Sequence, residues 1–228
     1  MEIIDFGLKN YEDILNLQLF LFNKLLEEKR NHKEVKEYIL IGQHNPVITL
    51  GRRAKLSNLL IPEDSLKKMG IGLYKIGRGG DITYHAPGQL ILYPILDLEK
   101  HKLGVKSYVD LLENSVAKLL SLYDIKGEKI DGATGIWLGK GSTAERKICA
   151  IGIKCSHFCT MHGLALNVST DLSGFSLINP CGFQDKGVTS IKKEIDLLNI
   201  SNNIPNHYIP DFHVVQKDLI KIIEDYLN

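Results

Sequence analysis

The sequence holds no apolar run near the roughly 18 residues that a membrane-spanning helix needs, so no spanning segment is expected. The first ten residues carry acids, Glu2 and Asp5, and no continuous apolar core, so no secretory signal peptide is expected there. An excess of charge of one sign is missing as well: 28 basic against 27 acidic side chains leave a net charge of +1. Such a balance gives no global attraction to nucleic acid or to a membrane surface, so any charged partner must meet a local patch. Cysteine is sparse, four in 228 residues, without the dense spacing of a secreted disulfide scaffold. With no export signal the thiols are expected reduced in a cytoplasmic setting, and one is then available as a nucleophile. No internal repeat, low-complexity linker or dinucleotide fingerprint is present. The nearest approach to a phosphate loop, Gly72 to Gly79, has Arg78 where a lysine is needed and Gly79 where a metal-binding hydroxyl is needed. It also runs from a strand into a loop with no helix after it.

What is present suits one domain over residues 1–228 with a substantial core. Apolar residues at three-and-four spacing predict helices over Tyr11–Arg30, Val105–Tyr123 and Asp211–Leu227, and a short one over Pro62–Met69 closed by Gly70. Shorter apolar runs predict strands at Tyr38–Gly42, Val47–Leu50, Leu73–Ile76, Leu90–Leu96, Gly135–Leu138, Lys147–Lys154 and Gly163–Val168. Strands and helices mix without strict alternation. The expected class is therefore α+β, with a mixed, largely antiparallel sheet flanked by helices. Gly139 to Arg146, small and polar between two strands, reads as a mobile loop.

Four segments carry possible chemistry. The densest is Arg78, Gly79, Gly80, Asp81, Ile82, Thr83, Tyr84 and His85, followed by Ala86-Pro87-Gly88-Gln89. Its glycines let backbone approach a ligand closely. A bare Gly-Gly would be a hairpin turn, but the polar aromatic pair Tyr84-His85 beside it points to a site. The second segment sets Lys147 ahead of the apolar Ile148, Cys149, Ala150, Ile151, Gly152 and Ile153. A lysine is rarely buried unless paired; burial or a neighbouring cation would make it a possible base. Read by itself, this segment fits better a lysine at a strand end with its head in solvent. The third segment, Thr160 to Val168, contains His162, Gly163, Leu164 and Ala165 and reads as a core strand with His162 hydrogen-bonded at its start. The fourth sets Cys181 between Pro180 and Gly182, a tight turn that can expose the sulfur of a residue otherwise prone to burial. Cys155, His157 and Cys159 would share one strand face near His162, but their spacing is not a standard zinc pattern and no metal is expected.

Together these segments closely resemble the lipoyl(octanoyl) transferase family. The matching text is Arg78 to Gln89, Lys147-Ile148 with Gly152, His162 to Asn167, and Asn179-Pro180-Cys181-Gly182, in the family's order and approximate spacing. Thr49-Leu50-Gly51-Arg52 and Asn58-Leu59-Leu60 agree as well, so the resemblance runs from about residue 36 to residue 183. It implies the fold shared with biotin and lipoate protein ligases, and a Cys181/Lys147 catalytic pair. It implies acyl contacts from Arg78 through His85, from Ala150, Ile151 and Gly152, and from Gly163, Leu164 and Ala165, with His162 orienting the site. The implied reaction moves an octanoyl or lipoyl group, without a cofactor, from acyl carrier protein to a lysine of a lipoyl domain. The implied acceptors are the acyltransferase subunits of 2-oxoacid dehydrogenases and the glycine cleavage H protein. Two features depart from the family: Ala86 stands where it usually has glycine, and the Gly139 to Arg146 loop is longer than in compact members.

The chemistry is consistent with these residue types. Thioester exchange is nearly thermoneutral and needs a good nucleophile rather than an energy source. A free thiol, with a pKa of about 8.5, is only a few per cent thiolate at neutral pH, and an adjacent lysine raises that fraction or accepts the proton. Amide formation from a thioester is downhill, so ATP is not required. Ile151, Leu164 and Ala165 would line the tail's channel, whose depth would select chain length. Arg52, Arg53 and Lys55 are either a solvated turn or a patch that meets an acidic partner. Two other readings remain: an ATP-dependent lipoate–protein ligase on the same fold, which would not need Cys181, and a non-catalytic module that binds lipoyl domains or acyl carriers.

Overall fold

Alternation along the strands decides the layers of this fold. In the computed structural model, which describes residues 1–180, 186–201 and 208–227, strand β1 (Glu2–Lys9) is followed by helix α1 (Tyr11–Arg30) and strand β2 (Tyr38–His44). In β2, Ile39 and Ile41 point to one face of the sheet and Tyr38 and Leu40 to the other. The same division holds in strand β6 (Gln89–Ile95), where Leu90 and Leu92 oppose Ile91, Tyr93 and Ile95. A strand that is apolar on both faces must be covered on both. Helix α1 covers one face with Ile14, Leu21, Phe22 and Leu25, spaced at helical period. Helices α3 (Val105–Ser121), α4 (Ile191–Ser201) and α5 (Phe212–Leu227) cover the other. The acids Glu12 and Asp13 open α1 and Lys29 and Arg30 close it, a distribution that favours the helix dipole.

Among the described residues the main sheet has seven strands. Its order is β1, β2, β6, then β9 (Cys159–Asn167), β8 (Arg146–Ser156) and β10 (Gly187–Val188), with β7 (Ile136–Leu138) also paired to β8. The pairs β1–β2 and β10–β8 are parallel and the others antiparallel. A second sheet sets β3 (Val47–Leu50) between β4 (Gly72–Lys75) and β5 (Ile82–His85). Helix α2 (Glu63–Lys68) precedes β4. Among the described residues no helix is long and apolar enough to cross a membrane.

Two local readings of the sequence are corrected, on Cys155 with Cys159 and on His162, and one strand is added. Residues Glu2–Lys9 form a strand whose partner, β2, lies beyond the whole of α1. Strands β8 and β9 are joined by the two-residue turn His157-Phe158, with φ of 49° and 61°. Cys155 and Cys159 therefore stand on facing strands either side of a hairpin, not along one strand face. His162 lies in the middle of β9, because that strand begins at Cys159. The turn after β5 tolerates Ala86 because its positive φ falls on Gly88, at 83°.

Candidate active site

The glycine-rich loop crosses the main sheet at one place. Gly79 N–H donates to the Ile153 carbonyl at 2.8 Å, so residues 78–80 lie over β8. Gly152 faces Gly163 across β8 and β9. A Cβ on Gly152 would stand 2.8 Å from Gly79 O, and one on Gly163 would stand 2.2 Å from Leu92 O. Neither position can carry a side chain: the bare Gly152 lets the loop come close, and the bare Gly163 lets β6 come close.

Between loop and sheet is a cavity of about 440 Å³, within the usual range of small-ligand sites. It brings together most of the expected residues: Arg78, Gly79, Gly80, Asp81, Ile82, Thr83 and His85 on one side, and Lys147, Ala150, Ile151, Gly152, His162, Gly163, Leu164 and Ala165 on the other. Tyr84 is not among the lining residues. Alternation along β5 turns its ring the opposite way from Thr83 and His85, edge-on to Phe175 at 5.5 Å. Cys181 lies outside the described residues. The cavity also takes in Tyr11, Tyr93 and the loop Gly132 to Thr134, which sequence reasoning passed over. Tyr11 read as a helix start and Tyr93 as a core position; only the sheet's convergence gives either a site. Of the basic cluster, Arg53 reaches the rim, and Arg52, Arg53 and Lys55 are all exposed.

The structure contradicts the solvent-headed reading of Lys147. The residue is 8% exposed. Its Nζ donates to the Thr134 carbonyl at 3.1 Å and lies 4.5 Å from the centroid of the buried Trp137 ring. Trp137 is itself fixed by donating its indole N–H to Ala133 O at 2.7 Å. The strand that carries Lys147 is pinned at its start. Arg146 Nε and Nη2 donate to the two oxygens of Glu194 at 2.7 and 2.5 Å. Glu194 also accepts from the Thr189 hydroxyl, and Thr189 N–H donates to Lys147 O at 3.0 Å. The Gly139 to Arg146 connection is tied internally by Ser142 Oγ on Gly139 O and Gly141 N–H on Glu145.

Arg78 is buried, with Nε and Nη2 on Thr49 and Nη1 on Gly79 O at 2.9 Å. Asp81 accepts from Ile82 N–H at 2.8 Å and Asn58 Nδ2 at 2.7 Å, which holds the loop's return. Three buried histidines gather beyond them. Burial lowers the pKa of His44 to about 4, and those of His85 and His162 to about 3. All three rings are therefore neutral at physiological pH, and their partners fix two of the tautomers. A carbonyl oxygen can only accept, so His44 Nδ1–H donates to Lys9 O at 3.2 Å and its Nε2 accepts from the Tyr93 hydroxyl at 3.0 Å. Asn167 Nδ2 donates to Thr189 O, which leaves Asn167 Oδ1 to accept from Gln89 Nε2 at 2.8 Å. Gln89 Oε1 then accepts from His85 Nδ1–H at 2.7 Å, so His85 Nε2 carries a lone pair. The described cysteines are unsuited to attack. Burial raises the pKa of the Cys149 thiol far up, that of Cys159 to about 11, and that of Cys155 as well.

Residues 10–205 match the family model described as the lipoyl protein ligase A/B catalytic domain. The chain is similar to an octanoyltransferase of Parabacteroides distasonis, 53% identical over 192 residues, covering 84% of this chain and 87% of that protein. It is similar to an octanoyltransferase of Bacteroides fragilis, 49% identical over 191 residues, covering 84% and 86%. Among solved structures it is similar to a lipoate-protein ligase A bound with ATP, at a TM-score of 0.66 and 18% identity, covering 100% of this chain and 86% of that one. At that identity the likeness speaks for the fold alone.

Proposed function

The chain belongs to the lipoyl protein ligase A/B catalytic-domain family, and from that premise we propose that it is an octanoyltransferase of lipoate biosynthesis working through a cysteine thioester. The acyltransferase activity follows from kinship over most of its length with proteins of that name. The finer steps are inferred from chemistry. The Cys181 thiolate attacks the carbonyl of an octanoyl thioester on acyl carrier protein. The carbon–sulfur bond to the carrier breaks, and the departing thiolate takes a proton. A lysine amine of a lipoyl domain then attacks the Cys181 thioester. The amide forms, the Cys181 sulfur leaves, and Lys147 relays the proton lost by the amine. Backbone N–H groups beside the reacting carbon are the natural donors to the oxyanion, each worth about 3 to 4 kcal/mol of barrier.

One observation carries this reading: Lys147, at the head of an apolar strand, presents a buried amine to the wall of a cavity large enough for an acyl chain. A binding module has no use for an amine held there. The raised thiol pKa values of the other three cysteines leave Cys181 as the candidate nucleophile.

The test is transfer from octanoyl-carrier protein to a lipoyl domain with ATP omitted. The wild-type chain should transfer without nucleotide, and Lys147→Ala should lower the rate by about 10²- to 10⁴-fold, the usual reach of general acid–base catalysis. Activity that requires free octanoate and ATP would instead make the chain a ligase. An unaltered rate in Lys147→Ala would remove the lysine from the mechanism.

A further inference from the structure

Six non-glycine residues have positive φ among the described residues, and five of them lie in turns. The sixth is His162, with φ of 60° inside strand β9. Only glycine adopts that backbone freely, and strain of this kind gathers where a site needs it. The local consequences are visible. The His162 N–H donates to Gln18 Oε1 of helix α1 at 3.0 Å. The ring lines the cavity, 3% exposed, and meets Tyr93 edge-on at 6.3 Å.

Lys147 lines the same cavity, and its amine does not stay level with its own Cα. Its acceptor is Thr134 O, and the neighbouring Gly135 backbone lies against Cys149 O and Ala150 Cα. The amine has therefore climbed along β8 to about the level of Ala150. His162 pairs with Ile153. From Ala150 to Ile153 is three strand residues, roughly 10 Å at ~3.3 Å each. An extended octanoyl group, seven carbon–carbon bonds of about 1.5 Å in a zigzag, spans roughly 9 Å. The two lengths agree, and Gly152 and Gly163, which pair between the two positions, both line the cavity.

We propose that His162 is the specificity-determining residue that stops the acyl channel about eight carbons from the reacting carbonyl, and that Gln18 is the positioning residue that holds it in its left-handed conformation. This rests on the acyl-transfer reading above, with the carbonyl at the Lys147 end. A ring at the channel's end excludes longer tails by overlap. Removing the ring while keeping the backbone geometry should deepen the channel. Glycine is suited to the exchange, since it takes the observed φ without strain.

The experiment compares kcat/KM for octanoyl-, decanoyl- and dodecanoyl-carrier protein in the wild-type chain, His162→Gly, His162→Asn and Gln18→Leu, with a thermal midpoint for each. Asparagine also tolerates the left-handed region, so it is a second folded probe with a smaller side chain. The decanoyl-to-octanoyl ratio should rise about tenfold in His162→Gly, the order expected for burying two added methylenes at roughly 0.8 kcal/mol each. It should rise less in His162→Asn and Gln18→Leu, and the thermal midpoint of His162→Gly should hold or increase. General damage to the fold would lower all chain lengths alike and leave the ratio in place. An unchanged ratio in a folded His162→Gly that transfers octanoyl would overturn the proposal while leaving the acyl-transfer reading intact. So would loss of transfer at every chain length in that folded variant. A wild-type chain that transfers no acyl group of any length would overturn the acyl-transfer reading, and this proposal with it.

Discussion

Burial makes the titratable residues of this site unlike the same residues in water. His44, His85 and His162 have folded pKa values of about 4, 3 and 3 because desolvation penalises the charged ring, whereas in the unfolded chain each titrates near 6.5. Between those limits the unfolded state binds more protons, so stability is complete above about pH 6.5 and falls as the pH drops towards 4. Each ring should contribute on the order of 1 kcal/mol of loss per pH unit in that window. Urea midpoints at pH 7, 6 and 5 check this. A steady fall is expected, reduced when His85 is replaced by glutamine, and a flat midpoint would contradict the neutral, buried histidines. The segment containing His85 and the motif containing His162 could be picked out in the sequence. Their neutrality could not, because it depends on neighbours as far as 144 positions away that only folding gathers.

Elements place these residues, and their legibility followed the range of the forces that form them. The helices over Tyr11–Arg30 and Phe212–Leu227 repeat a local apolar period and were readable almost to the residue. Strand β1 was not, because it is an exposed edge whose partner is supplied by tertiary pairing. The β8–β9 turn was hidden for another reason: two left-handed residues usually announce themselves as Asn-Gly, and here they are His157 and Phe158. Lys147 looked solvent-directed because the Trp137 ring that covers it comes from β7. The pin at the head of β8 makes a further prediction. Glu194→Ala removes the carboxylate to which Arg146 Nε and Nη2 and the Thr189 hydroxyl donate, leaving Arg146 its Nη1 bond to Ala144 O, which should cost about 2 kcal/mol. It should also lower kcat more than it changes KM, by loosening the strand that carries Lys147. Glu194→Gln, which keeps one acceptor oxygen, should lose less of both. Equal stability for the wild-type chain and Glu194→Ala in denaturant melts would remove the pin from the account.

At the scale of the whole molecule, the expected class was a mixed, largely antiparallel sheet flanked by helices, and that is the observed architecture, shared with a lipoate-protein ligase. Its layers explain how separate stretches of sequence come to line one cavity. The second sheet delivers the glycine-rich loop, β8 and β9 supply the floor, and α1 steadies the far end through Gln18. Tyr84, expected in the site, shows the limit of motif reading: a motif selects a stretch of chain, and strand alternation then decides which of its side chains face the cavity.

The central claim is that one thiol carries the acyl group between donor and acceptor. Intact mass spectrometry after incubation with octanoyl-carrier protein, followed by peptide mapping, tests it most directly. The account predicts a gain of one octanoyl unit, located on Cys181, labile to hydroxylamine and absent from Cys181→Ala. An octanoyl group mapped to Cys149, Cys155 or Cys159, or steady transfer to a lipoyl domain by Cys181→Ala, would contradict it.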